Sequence, residues 1–315
     1  MAQTKGPNNG STTTGEMLMS NEFAAISKAA ATVVAQAGQS VVRVDARRRH
    51  PASGVVWSTD GLILTAHHVV RRDNDIRVGL PDGAELLATL VGRDPSTDLA
   101  LLRVDSTGLT LAAWRDEADL GVGELALALG RPGQNVQASL GVISALGGAW
   151  RSLGGGKISH YIRPDLVMYP GFSGGPLVDG EGQVIGLATS ALTHAGGIAL
   201  PAATVRPVVE TLLSHGCMRR GYLGVGVQPA KLPAPVAESL GQETGVLLNS
   251  IEPDSPAAAA GLLVGDILVA LDGESIARPE DLSLFLLGVS PGQALTAQIV
   301  RGGALTELPL TVGER

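Results

Sequence analysis

Ser173 lies in the stretch Tyr169-Pro170-Gly171-Phe172-Ser173-Gly174-Gly175-Pro176-Leu177, where glycines on both sides of one hydroxyl bring backbone N–H groups close to whatever binds there. Acyl transfer needs that combination, because an alcohol becomes a useful nucleophile only when a base takes its proton and nearby donors stabilise the oxyanion that forms. Two other segments can supply the missing parts. Leu62-Ile63-Leu64-Thr65-Ala66-His67-His68-Val69-Val70 places a pair of histidines at the end of an apolar strand, and Asp94-Pro95-Ser96-Thr97-Asp98-Leu99-Ala100-Leu101-Leu102 offers two carboxylates at the start of another. Asp94 precedes proline, where turn capping accounts for it without chemistry. Asp98 stands immediately before the apolar run Leu99 to Leu102, where a strand can hold a carboxylate beneath an imidazole. In chain order the three are histidine, aspartate, serine. A glycine turn around a serine is a weak signal by itself; all three segments in order are a strong one.

That order is the one used by the two-barrel serine proteases. Thr65-Ala66-His67-His68-Val69-Val70, Asp98-Leu99-Ala100-Leu101-Leu102 and Gly171-Phe172-Ser173-Gly174-Gly175-Pro176-Leu177-Val178 resemble the trypsin-like proteases and, within them, the HtrA family, position for position. The resemblance selects His68 over His67 as the base and implies a triad of His68, Asp98 and Ser173, with the N–H groups of Gly171 and Ser173 as the oxyanion hole. It also implies a primary specificity pocket with Val167 and Met168 at its base and Thr189, Ser190 and Ala191 as its wall. No carboxylate is expected at that base, so a small or medium aliphatic residue before the scissile bond is the expected choice. Phe172 departs from the pattern, since HtrA proteins usually carry asparagine there and digestive relatives an aspartate that pairs with a newly cut N-terminus. Phenylalanine can make neither polar contact, so activation by such an ion pair is not expected and an apolar contact would have to order the loop. The stretch Ala46 to Ala52 is too short for the long regulatory loop of some relatives.

Positioning these residues takes two sets of strands. From Ser40 to Val104 the chain breaks into short β-branched or leucine-rich runs (Val41 to Val44, Gly54 to Trp57, Leu62 to Thr65, Ile76 to Val78, Leu86 to Val91, Leu99 to Val104), separated by turn signals such as Asp60-Gly61 and Pro81-Asp82-Gly83. A second set follows: Glu124 to Ala128, Val136 to Ile143, Ile158 to Ile162, Pro176 to Val178, Val184 to Ala188 and Gly197 to Leu200. The expected fold is mainly β, a chymotrypsin/trypsin-like double β-barrel with the histidine and aspartate on the first barrel, the serine on the second and the site in the cleft between them. Asn21 is expected to cap a helix bearing Phe23, Ile26, Ala30 and Val33 that packs on the first barrel, and Thr204 to Ser214 a second helix that Gly216 ends. Residues 1–20, rich in Gly, Ser, Thr and Asn, read as a disordered tail, and residues 21–216 as the protease domain.

The linker Cys217-Met218-Arg219-Arg220 leads into residues 217–315. There Arg220-Gly221-Tyr222-Leu223-Gly224-Val225 resembles the carboxylate-binding loop of a PDZ domain, and Gly261-Leu262-Leu263-Val264-Gly265-Asp266-Ile267-Leu268 resembles its second signature. Ser255-Pro256 before four alanines reads as a capped short helix, and Pro279, Glu280 and Asp281 start another that carries Leu282, Phe285 and Leu286 on one face. The resemblance implies a small α+β module that adds an extended peptide to a sheet edge. Tyr222, Leu223, Gly224 and Val225 would supply donors for the peptide's carboxylate, while Phe285 and Leu286 would line a pocket for a hydrophobic C-terminal residue.

Composition excludes some alternatives. Of 315 residues only 3% are aromatic, so Val, Leu, Ile and Ala must fill the cores. The net charge of −7 carries no basic footprint, which argues against nucleic acid as the main partner. The single cysteine, Cys217, excludes an internal disulfide and makes a thiolate metal cluster implausible; no metal, cofactor or ATP is expected. The chain contains neither a basic start followed by an apolar run nor a spanning segment, which points to the cytoplasm if Met1 is the native start, although members of the resembled family are often exported. The resemblance further implies a homotrimer built through the protease domains and unfolded or damaged polypeptides as substrates. A catalytically silent peptide-binding chaperone or scaffold on the same fold is the alternative reading.

Overall fold

Runs of alternating or fully apolar strands, punctuated by glycine turns, have to bury two faces or close on themselves. In this computed structural model, which describes residues 12–115, 119–152, 156–193, 196–216, 221–289 and 291–314, they close. The chain divides into two compact units, one of residues 1–91, 98–148 and 160–206, the other of residues 92–97, 149–159 and 207–315.

The first unit holds two closed barrels. In the first, β1 (Val41–Asp45), β2 (Ala52–Val56), β3 (Leu62–Ala66), β4 (Ile76–Gly79), β5 (Glu85–Asp94) and β6 (Leu99–Val104) are arranged β1-β2-β3-β6-β5-β4, with β4 paired back onto β1. Gly61 and Gly83, at φ +97° and +92°, make the turns that Asp60-Gly61 and Pro81-Asp82-Gly83 announce, because only glycine enters that region without strain. Val42, Val44, Val56, Ile63, Ile76, Val78, Ala100 and Leu102 fill the interior. The second barrel contains β7 (Leu125–Gly130) and β8 (Gln137–Gly147), then β11 (Tyr161–Asp165), β12 (Pro176–Val178), β13 (Val184–Thr189) and β14 (Ile198–Leu200), in the order β11-β14-β13-β12-β7-β8 with β8 closing on β11. The run Ile158 to Ile162, expected as one strand, is two. β9 (Trp150–Arg151) pairs with β10 (Lys157–Ile158) as a separate ribbon, and β11 begins only at Tyr161.

The N-terminal helix differs from expectation in two ways. α1 spans Thr12–Ala37, so Asn21 lies inside it and caps nothing, and residues 12–20 are helical instead of disordered. From Met17 to Ala37 the sequence has no glycine or proline to stop a helix. Its apolar side chains Ala30, Val33, Val34 and Ala37 pack with Val41, Leu127, Leu129, Val178 and Val184, so its main support is the second barrel, not the first, while Phe23 and Ile26 remain exposed. α2 (Ala202–His215) buries Val205, Val208, Val209 and Leu212 and ends at Gly216, whose N–H reaches the Leu212 carbonyl from a left-handed φ of +73°. The expected linker, Cys217 to Arg220, lies outside the described residues.

In the second unit β15 (Gly221–Tyr222) pairs with β22 (Gly313–Glu314), and β16 (Val225–Lys231), β17 (Thr244–Ile251), β18 (Ile267–Leu271), β20 (Ala294–Arg301) and β21 (Ala304–Thr311) form a sheet in that order, with β19 (Glu274–Ser275) on β18. β16 is an edge strand and borders α5 (Pro279–Leu287). α3 (Ala234–Leu240) is capped by Gly241 at φ +63°, and α4 (Pro256–Ala259) by the Ser255 hydroxyl, which accepts from the Ala258 N–H. Asp281 starts α5 by accepting from the backbone of Ala277 and Arg278. Burial pushes the Asp266 carboxyl upward, but the Arg301 fork at 2.7 and 2.8 Å and the Leu263 N–H outweigh it and hold the group below the usual carboxylate range.

Candidate active site

β3 delivers its histidines by ending at Ala66, after which His67–Val69 form a single 3-10 turn. Asp98 directly precedes β6 with φ +58°, a left-handed conformation that aspartate tolerates better than most side chains. Because β3 and β6 pair, with Ala66 opposite Leu99, the histidine turn and Asp98 are brought together by the ladder itself. The Asp98 carbonyl accepts from the His67 N–H at 2.9 Å. Its Oδ1 accepts from the His68 N–H at 2.8 Å, and Oδ2 meets both His68 Nδ1 at 2.8 Å and the Thr189 hydroxyl at 2.5 Å. Asp98 is 2% exposed, so its charge is compensated by these donors and not by bulk water. A carboxylate facing Nδ1 keeps the proton on that nitrogen and leaves Nε2 to accept another. Asp94 plays a different part. Its carboxylate, also buried, accepts from the Ser96 N–H and from the Ser96 and Thr97 hydroxyls, an Asx turn.

Two consecutive tight turns present Ser173. In the first, the Phe172 N–H donates to the Tyr169 carbonyl at 3.0 Å across Pro170 and Gly171, with Gly171 at φ +94°. Proline then glycine at the central positions is the sequence of a type II turn. In the second, the Gly175 N–H donates to the Phe172 carbonyl at 2.9 Å across Ser173 and Gly174, with Gly174 at φ +84°. Glycine at 174 has a second reason, since a Cβ there would lie 2.3 Å from the Ser53 carbonyl oxygen. The Ser173 hydroxyl sits 3.2 Å from that of Ser190.

Ser53, on β2, ties this loop to the first barrel. Its hydroxyl donates to the Gly171 carbonyl at 2.7 Å and accepts from the Arg131 N–H at 2.8 Å, and its N–H donates to the Ser173 carbonyl at 3.3 Å. The Arg131 side chain is buried and donates to the carbonyls of Gly38, Val41 and Gln134; burial lowers its pKa from the ordinary guanidinium value. Nothing in the sequence marks Ser53 or Arg131, because their roles depend on which strands of two barrels meet.

The expected specificity residues separate. A cavity of about 640 Å³ beside the serine is lined by Met168 and Ser190, together with Ser144, Leu166, Thr193 and Gly197. Met168 lies against Gly197, where a Cβ would fall 2.1 Å from its sulfur. Val167 is not among the lining residues and is 56% exposed. Thr189 is fully buried and serves as a donor to Asp98, so it is a support of the histidine–aspartate pair and not a pocket wall; its oxygen also accepts from the Ala191 N–H at 3.1 Å. Asp165 and Arg163 also line the cavity, outside the Val167–Met168 pair at which no carboxylate is expected. Both charged residues lie at the end of β11, whose register on β8 shifts between Arg163 and Pro164.

In the second unit Leu223 is 2% and Phe285 7% exposed, and the side chains of both belong to the core with Val246, Leu248, Leu268 and Ile299. Leu286 is half-buried against the same core. Gly224, at φ +75°, turns the chain into β16 and is packed so closely that a Cβ would lie 2.3 Å from that of Ser255.

These arrangements have counterparts among known proteins. Residues 52–187 match the trypsin-like peptidase domain and residues 221–312 the PDZ domain. A probable periplasmic serine endoprotease, DegP-like, of Brucella suis biovar 1 (strain 1330) is 34% identical over 268 residues, covering 82% of this chain and 52% of its own. The protein of the same description from Pseudomonas fulva (strain 12-X) is 38% identical over 269 residues, covering 83% and 55%. The chain therefore spans about half the length of these curated relatives. Among solved structures, the HtrA-type protease AlgW with a decapeptide superposes with a TM-score of 0.67 at 31% identity, covering 90% of this chain and 98% of that one. The serine endoprotease from Yersinia pestis does so with a TM-score of 0.67 at 28% identity, covering 90% and 97%. With near-complete coverage of such a relative, two barrels and a C-terminal PDZ fold, this chain belongs to the HtrA-type serine proteases.

Proposed function

We propose that the chain is a serine endopeptidase, ATP-independent and needing no metal, that cleaves unfolded or damaged polypeptides in protein quality control. One observation carries the reading: the His68–Asp98 pair at 2.8 Å is supported by Thr189, within the same unit as a serine presented between two glycine turns. In the proposed mechanism His68 Nε2 removes the Ser173 proton as Oγ attacks the scissile carbonyl, and the Gly171 and Ser173 N–H groups receive the oxyanion. Each such donor is worth about 2.7–4 kcal/mol of transition-state stabilisation. His68 then returns the proton to the leaving amine, and water hydrolyses the acyl-enzyme by the same route. The Ser190 hydroxyl, now beside Ser173, is displaced as the nucleophile turns towards the imidazole. A fluorophosphonate probe should label the wild-type chain and fail to label Ser173→Ala; equal labelling of both, or of neither, would favour the silent peptide-binding reading.

Residues 21–216 would form the protease domain and 217–315 the PDZ domain. Met168 lies against Gly197 and lines the cavity with Leu166, and this apolar part of the lining supports a small or medium aliphatic residue before the cleaved bond. Mass spectrometry of a digested unfolded protein should show cuts after such residues. Predominant cuts after Lys or Arg would make Asp165 the determinant.

For the PDZ domain we infer capture of hydrophobic C-termini by addition to the free edge of β16, with the carboxylate held by the backbone of Tyr222 to Val225 and the terminal side chain next to Leu286. Calorimetry with matched free and amidated peptides should give at least tenfold weaker binding for the amide, and equal affinities would remove the carboxylate loop from the account. By family likeness we also propose a homotrimer, measurable by light scattering. The cytoplasmic expectation has no support in the comparisons. The Brucella suis and Pseudomonas fulva relatives are described as periplasmic, and we propose that compartment here, to be tested by fractionation.

A further inference from the structure

Phe172 immediately precedes Ser173, yet it is fully buried and ranks among the largest side chains in the molecule to be so. Its ring lies within the second barrel among Ala126, Ala128, Ile143, Ile162, Leu177 and Ile185. The end of β7 is shaped to receive it, since a Cβ on Gly130 would fall 2.5 Å from the ring's Cδ1 and 3.1 Å from its Cγ. Tyr169, at the other end of the first turn, meets the ring edge-on with centroids 5.5 Å apart and planes at 71°. The two residues joined by the turn's hydrogen bond are therefore also joined by their rings.

The residues after Gly130 continue the cradle. The Arg131 N–H holds the Ser53 hydroxyl that in turn holds the Gly171 carbonyl, and a Cβ on Gly171 would lie 2.6 Å from that of Pro132. Three successive residues, 130–132, thus contact the loop through a slot for the ring, a bridged hydrogen bond and a steric stop. Position 172 carries no polar anchor, so the peptide planes on either side of Gly171 are fixed by the Ser53 hydroxyl on the Gly171 carbonyl and by the turn that the buried ring holds.

We propose that Phe172 is a positioning residue for the oxyanion hole: its ring, seated over Gly130 and clamped by Tyr169, locks the Tyr169–Phe172 turn so that the Gly171 and Ser173 N–H groups point at the reacting carbonyl without any ion pair. The proposal rests on the endopeptidase reading above. A ring held in a close-packed barrel has one well-defined seat, whereas a smaller side chain leaves a void into which the turn can shift. The consequence is confined to the step in which the oxyanion forms, because ground-state substrate binding uses other surfaces.

The test compares the full-length wild type with Phe172→Ala and Phe172→Leu on one peptide substrate, with concentrations set by active-site titration and temperatures below each protein's unfolding. Phe172→Ala should lower kcat about 100-fold or more with KM within about threefold, and Phe172→Leu, which refills only part of the seat, should recover part of that loss and stay about tenfold below wild type. Affinity for a peptidyl aldehyde, whose tetrahedral adduct uses the oxyanion donors, should fall in parallel with kcat. Affinity for the unreactive peptide amide of the same sequence should stay unchanged. A purely structural role would lower thermal stability and leave both ratios at wild-type values, which overturns the proposal. If the alanine variant does not fold, the leucine variant decides: a tenfold lower kcat at unchanged KM supports the proposal, and an unchanged kcat overturns it. An inactive wild type would instead refute the endopeptidase reading and leave the ring's contribution to be read from the aldehyde alone, where equal affinity of wild type and Phe172→Leu again counts against it.

Discussion

Replacing Ser173 or His68 by alanine should lower peptide hydrolysis by about six orders of magnitude, with circular dichroism and thermal midpoint close to wild type. Either change removes a member of a unit whose parts work together, so the double variant should be no worse than the single ones. His67→Ala serves as the internal control. The His67 N–H donates to the Asp98 carbonyl at 2.9 Å, and that backbone contact survives the substitution, so most of the activity should remain. The assay is cleavage of an unfolded protein such as casein, and the reverse pattern, with His67→Ala dead and His68→Ala active, would move the base to the neighbouring position.

Asp98→Asn should cost about 10⁴-fold in kcat with little change in KM. The geometry gives the reason. Asp98 receives protons at both oxygens, Oδ1 from the His68 backbone and Oδ2 from the His68 ring and Thr189. Asparagine has one acceptor oxygen and one NH₂. If its oxygen keeps the backbone N–H, the NH₂ faces Nδ1 and forces the proton onto Nε2, which destroys the base. If its oxygen faces the ring, the NH₂ is driven against the backbone N–H. Both arrangements leave a buried donor without an acceptor, so a small loss of thermal stability should accompany the loss of rate. Unchanged kcat would mean that Asp98 does not direct the imidazole.

The local chemistry of the site was legible in the linear sequence because it is written in residues with few structural equivalents. Pro170-Gly171 and Gly174 specify turns that demand positive φ, Asp60-Gly61 and Pro81-Asp82-Gly83 delimit strands, and the apolar runs between them fall almost where the barrel strands lie. The double barrel and the PDZ module could be recognised for the same reason. The starting point of α1 could not, since nothing at Asn21 forbids a helix that begins earlier, and its docking onto Leu127, Leu129 and Val184 joins segments far apart in the sequence.

What only the tertiary structure decided is how side chains are shared between distant strands. Thr189 is expected as a pocket wall and becomes the second donor to Asp98 Oδ2 because β13 brings it there. Ser53 looks like any strand serine until the two barrels place Gly171 and Arg131 on either side of its hydroxyl. Val167 and Met168 are neighbours in sequence, yet one faces outward and the other fills the cavity with Arg163 and Asp165. Phe172 reads as the loss of a polar anchor, and only the slot over Gly130 reveals an apolar one. Turn conformation and strand periodicity are properties of a few adjacent residues and so are carried by the sequence itself; hydrogen-bond partners and buried seats depend on the register of strands far apart in the chain, and exist only once the barrels have closed.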